Sequence, residues 1–205
     1  MKQKTLRVIG LVTLIATVAQ ASQEKLAASI SEARMETAAT AAQLKTTVDA
    51  LNALTEQKKG DLRPAYDTYC AEIVKTKAAA EVTKTRVQWM AGDGQKYFTE
   101  WQNTVNAINN ESMRKSSQKR LDSVKASFTK VEASLKVSAE KFNPFLSDLG
   151  DIQTALSTDV TAGGVKAIRS TVSSANWNYK YVNRAVNDAV SGMNKLAKAL
   201  SPDAK

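Results

Sequence analysis

Two glycines flank an aspartate in WMAGDGQKYFTEW, Trp89 to Trp101, the combination from which phosphate- and calcium-binding loops are made. Either chemistry needs more than this. A calcium loop of the D-x-[DN]-x-[DN]-G kind supplies several oxygen ligands at fixed spacing, whereas Asp93 stands alone. A phosphate loop requires G-x-x-x-x-G-K-[ST], which the chain does not contain. Carboxylates recur at helical spacing, Asp148 with Asp151 and Glu32 with Glu36. Glycoside hydrolysis sets two carboxyls across a cleft and raises the pKa of one, while carboxylates three or four apart on a helix form a solvated face. There is no histidine, which removes imidazole acid–base catalysis, the Ser-His-Asp triad and the commonest zinc ligand. The single cysteine, Cys70, adjoins an apolar seam and has no basic neighbour to favour its thiolate, so it reads as a small buried hydrophobe. The expectation is a protein that is not an enzyme, with no catalytic residues, no cofactor, no metal site and no small-molecule substrate.

The elements that must position these residues are helices. Apolar side chains at alternating steps of three and four stay on one seam of a helix. One such register runs Tyr69, Ile73, Thr76, Ala80, Thr83, Val87, Met90, Gly94, Tyr97, Trp101, Thr104, Ile108, and it crosses Gly92-Asp93-Gly94 without losing phase. A ligand loop has no reason to keep register, so the spacing predicts continuous helix, softened at glycines that each cost about 1 kcal/mol relative to alanine. A second register runs from Leu121 through Phe128, Phe142 and Phe145 to Leu156, and a third from Val165 through Ile168, Val172 and Val182 to Leu200. The first part of the chain keeps the same spacing from Leu26 to Leu54, with Thr37, Thr40 and Thr47 filling gaps.

Turn residues cluster at Lys58–Asp61, Asn109–Ser112 and Ser157–Gly164. They divide the chain into helices at about 22–58, 62–108, 112–157 and 160–199. Short connections force neighbours to run antiparallel, so the expected fold class is all-α: an elongated antiparallel four-helix bundle, a coiled-coil-like rod. Pro144 falls one position before the seam residue Phe145, off the seam, where it removes a backbone donor and is expected to kink the third helix.

The chain opens with Lys2, Lys4 and Arg7, an apolar run of about 11 residues from Val8 to Val18, and Ala19-Gln20-Ala21. That layout predicts a secretory signal peptide over residues 1–21, since the run falls short of the roughly 20 residues of a membrane-spanning helix. Residues 22–205 then form one helical domain, and the protein is expected to be exported to the periplasm. With one cysteine, no internal disulfide forms there. The 205-residue chain carries a formal charge of +9, and losing the three leader cations lowers it to +6. That surplus is modest for the length and argues against nucleic acid as a partner.

The cations are not evenly spread. SMRKSSQKR, Ser112 to Arg120, places Arg114, Lys115, Lys119 and Arg120 in the first turns of the third helix. Cations at a helix N-terminus oppose its dipole, so helix energetics do not explain them; they read either as a contact for an anionic surface or as a solvated pole that aids solubility. In an up-down-up-down topology the mature N-terminus, Lys25, Lys195, Lys198 and Lys205 gather at the same end. Among the aromatics, Tyr97, Trp101 and Tyr179 lie on seams and read as core, whereas Phe98, Trp177 and Tyr181 do not. Seams continuing on exposed faces would permit homo-oligomers.

The run from Ser112 to Ser170, with YCAEIVKTKAAAEVTKTRV and FTEW in the second helix, resembles a bacterial family of exported helical, coiled-coil-like proteins that carries only a domain-of-unknown-function label, DUF2959. The resemblance extends over most of the chain beyond the leader and implies no activity, substrate or catalytic residue. Residues and resemblance together imply a structural or adaptor component of the cell envelope, binding a protein partner or an anionic envelope surface; the alternative is a periplasmic chaperone-like holdase.

Overall fold

A computed structural model describes residues 2–201, with side chains from 20 to 201. The leader expected over residues 1–21 therefore lies almost wholly outside the described side chains, and Lys205 lies outside the described residues. All elements are helical: α1 Lys2–Glu56, α2 Arg63–Asn106, α3 Glu111–Ser157, α4 Ala162–Ala167 and α5 Arg169–Leu200. No strand occurs among the described residues.

The helix ends follow local chemistry. Gly60, at φ 91°, takes a left-handed conformation that side chains resist and turns the chain after α1. Asp61 Oδ1 then accepts the Arg63 amide at 2.9 Å, capping α2. Asn110 Oδ1 does the same for the Met113 amide at 3.0 Å at the start of α3. Pro144 is carried within α3 on its exposed side, while Phe145 behind it is fully buried.

Where the spacing predicts one helix over 160–199, the structure has two. Thr161 caps α4 through Gly164 N–H, and the chain crosses Ile168 at φ −91°, ψ 3°, in the bridge region. The tight entry depends on Gly164, because a β-carbon there would lie 2.1 Å from the Asp159 carbonyl oxygen. The seam survives the break, since Val165, Ile168 and Val172 all remain buried.

Packing divides the chain into two units, the first Met1–Arg34, Thr85–Glu132 and Gly192–Lys205, the second Met35–Lys84 and Ala133–Ser191. In unit 1, segments of α1, α2, α3 and α5 close on Leu26, Ile30, Met90, Phe98, Leu121, Phe128, Met193 and Leu196. Lys25 with Asp93 and Glu32 with Arg86 tie α1 to α2, and Gln102 with Gln118 ties α2 to α3. The two α1–α2 pairs show those segments running antiparallel, and Gln102–Gln118 with Phe98–Phe128 shows the same of α2 and α3.

Unit 2 is a second helical bundle with its own core, which includes Leu44, Leu51, Tyr69, Phe145, Leu149, Ile152, Val172 and Val182. Its α1–α2 seam is partly polar. Thr47 and Thr76, both fully buried, share a hydroxyl hydrogen bond of 2.7 Å, and Thr40 meets Thr83 at 2.9 Å. The threonines that fill gaps in the apolar register thus satisfy one another, as buried hydroxyls must. Across α2 and α3, Tyr69 Oη donates to the Leu149 carbonyl at 2.8 Å and Tyr66 Oη to that of Gln153 at 3.0 Å.

Candidate interaction surfaces

Gly92-Asp93-Gly94 is helix, as the register requires. Asp93 Oδ1 pairs with Lys25 Nζ at 2.8 Å, so its role is to join α2 to α1. Gly94 is buried, and a β-carbon there would fall 2.3 Å from Cζ of Phe128. Gly92 has nothing within 4 Å of the equivalent position and opens onto a shallow groove of about 510 Å³ beside Lys25, Ala28, Glu32 and Trp89.

The carboxylate pairs separate into unrelated contacts. Asp148 accepts from Asn178 at 2.8 Å while Asp151 is exposed, and Glu32 pairs with Arg86 at 2.9 Å. Cys70 is half-buried and packs against the unit 2 core. Next to it, Tyr66 has its pKa pushed up to about 12, by burial first and then by the neighbouring Cys70 thiol. Burial likewise holds the Tyr69 phenol well above its ordinary value. Both tyrosines are neutral hydrogen-bond donors. Among the described residues no cluster of three His, Cys, Asp or Glu side chains is placed to hold a metal ion, and no helix is long and apolar enough to cross a membrane.

The four cations in the first turns of the third helix have different surroundings. Arg114 and Lys115 both engage Glu111, the first residue of α3, Lys115 at 3.3 Å. These contacts, Arg114 first, hold the Glu111 carboxyl below its ordinary pKa. The acid also complements the α3 dipole, so it binds the arginine and lysine heads at a helix end that would otherwise repel them. Arg120 Nη2 reaches across to α5 and donates to the Ala199 carbonyl at 2.7 Å. It satisfies one of the last carbonyls of that helix, a C-terminal capping role that the spacing along α3 alone does not reveal. Lys119 is exposed. The contact between Arg120 and Ala199 brings exposed Lys195 and Lys198 to the same end of unit 1, and Met113, 61% exposed, stands beside Arg114.

Unit 2 carries a feature that helical spacing leaves unassigned. Trp177 and Tyr181, one turn apart on α5 and both off the seam, are exposed and pack edge to face with ring centroids 5.4 Å apart. Two aromatics four residues apart and outside the register are the signal in the sequence. Phe98, also off the seam, is instead buried against Phe128.

A protein-family model described as "Protein of unknown function (DUF2959)" matches residues 14–200. No curated protein and no solved structure matches the chain.

Proposed function

The chain belongs to the DUF2959 family, and from that premise we propose that it is a structural or adaptor component of the bacterial cell envelope, exported to the periplasm and seated against an anionic surface by the basic end of unit 1. The observation that carries the reading is that exposed Arg114, Lys115, Lys119, Lys195 and Lys198 lie toward one end of unit 1, where α3 begins and α5 ends, with exposed Met113 in the first turn of α3. Each cation near an anionic membrane contributes on the order of 1 kcal/mol, and an apolar side chain among them adds contact with the acyl boundary. Glu111 offsets part of this charge and keeps Arg114 and Lys115 in place.

Vesicle co-sedimentation tests it. The full chain is expected to pellet with vesicles containing phosphatidylglycerol and not with phosphatidylcholine alone. Changing Arg114, Lys115 and Lys119 to Glu should abolish pelleting, and unchanged binding by that variant overturns the reading. Arg120 is left intact because it caps α5. A second reading, the holdase, draws on the exposed Met35, Val74 and Trp89; it requires the chain to suppress aggregation of an unfolded client, and no suppression at equimolar chain removes it.

A further inference from the structure

We propose that the α3/α5 face of unit 2 around Tyr181 binds a carboxylate-bearing saccharide. Trp177 and Tyr181 are 58% and 45% exposed, although Ala175 and Val182 on the other face of α5 already close the core. Their rings are not loose. They brace one another at an interplanar angle of 73°, and Lys180 Nζ lies 5.5 Å from the Trp177 centroid, so ordering them costs little when a ligand arrives.

Tyr181 forms one wall of a cleft of about 250 Å³ whose other walls are Lys141, Pro144 and Asn178. Each wall supplies a different chemistry. The aromatic ring offers a flat apolar face. Asn178 is fixed by its hydrogen bond to Asp148 at 2.8 Å and keeps a second N–H and its carbonyl oxygen for a ligand. Pro144 has no N–H, so the Glu140 carbonyl one turn before it lacks its usual helical donor. Lys141 is exposed and forms no ion pair with any described residue, so its ammonium is the positive charge of the cleft; Lys180 lies over Trp177, outside it.

A pyranose matches this combination. Its C–H face stacks on an aromatic ring, its hydroxyls both donate and accept, and a carboxylate on the ring answers the Lys141 ammonium. An apolar peptide would find only one aromatic face and one proline in an open cleft, and a bare phosphate would leave the ring unused. The site is separate from the basic end of unit 1, so either proposal stands or fails without the other.

The test uses the full chain with trigalacturonate and with its neutral counterpart, a galactose trisaccharide, followed by titration calorimetry. The acidic sugar should bind and the neutral one roughly tenfold more weakly, the equivalent of about 1.4 kcal/mol. Tyr181→Ala should abolish binding of both, and Lys141→Gln should remove only the preference for the acid. Both positions are exposed, so circular dichroism should be unchanged. Failure of trigalacturonate to bind the wild-type chain at millimolar concentration, equal affinity for the acidic and neutral sugars, or equal affinity of wild type and Tyr181→Ala overturns the proposal. So does binding to phosphatidylglycerol vesicles that is lost with Tyr181→Ala while no saccharide binds, which would make the pair a membrane contact.

Discussion

The Phe128 ring of α3 lies directly over the α2 backbone at Gly94, near enough that a β-carbon there would sit 2.3 Å from Cζ and 2.8 Å from both Cε atoms. Gly94 is thus a packing residue. Two residues earlier, Gly92 is exposed with open space around it. One tripeptide therefore contains a glycine the fold requires and one it does not.

Alanine at the two positions should have opposite effects. Gly94→Ala must displace a core ring that also packs edge to face on Phe98 at 5.4 Å, and overpacking of this kind costs roughly 1–3 kcal/mol. Gly92→Ala gains helix propensity and should stabilise by about 0.5–1 kcal/mol. Urea midpoints at constant m-value distinguish them. Adding Phe128→Leu to Gly94→Ala should recover part of the loss; no recovery would mean the ring is not the cause.

The tyrosines that bridge α2 and α3 differ in burial. Tyr69 is fully buried, while the hydrogen bond of Tyr66 is only part-buried. Tyr69→Phe deletes a 2.8 Å bond to the Leu149 carbonyl and should cost about 1–1.5 kcal/mol, since no water replaces the donor. Tyr66→Phe should cost less, because the Gln153 carbonyl stays within reach of solvent. Equal losses in denaturant titrations would contradict this difference.

Seam positions were legible because a heptad register says which face of a helix is covered. Met90, Gly94 and Tyr97 are buried in phase, and so are Val165, Ile168 and Val172 across the break between α4 and α5. The register does not say what lies opposite. Phe98 is off the seam yet buried because Phe128 stands beside it, and Arg120 is a cap because α5 ends there. The Ile168 break leaves no mark in the register, because Val165, Ile168 and Val172 keep phase across it. Trp177 and Tyr181 were visible as off-seam aromatics, but their pairing and the adjoining cleft with Lys141 and Pro144 require α3 to be placed against α5.

Arg114 and Arg120, both surface cations by their spacing, should separate on truncation. Arg120→Ala leaves an α5 terminal carbonyl without its cationic donor and should destabilise by roughly 0.5–1 kcal/mol. Arg114→Ala loses an exposed pair with Glu111, while Lys115 still reaches that carboxylate, so its effect should be within about 0.5 kcal/mol of zero. Thermal melts at low and high salt check both. Equal destabilisation would remove the assignment of Arg120 as a cap.

Two glutamates should give opposite pH dependences. Glu72 accepts hydrogen bonds from Lys75 Nζ and Gln43 Nε2, each at 2.7 Å, and these, Lys75 first, lower its pKa from the ordinary 4.5. A lowered folded pKa means the unfolded chain binds the proton more readily. Its stabilising contribution is therefore complete above pH 4.5 and lost as pH falls through the lower folded value. Glu132 is the reverse case, since burial raises its pKa above 4.5. Its contribution is present below that pH and lost as pH rises through the folded value, so the ionised carboxylate opposes folding at neutrality. Glu72→Gln should flatten the acid limb of a stability–pH curve while lowering stability at pH 7. Glu132→Gln should raise stability at pH 7 and change little at pH 3. Urea midpoints across that range give both curves, and a fall in stability at pH 7 for Glu132→Gln would show that its carboxylate has a favourable partner outweighing its burial.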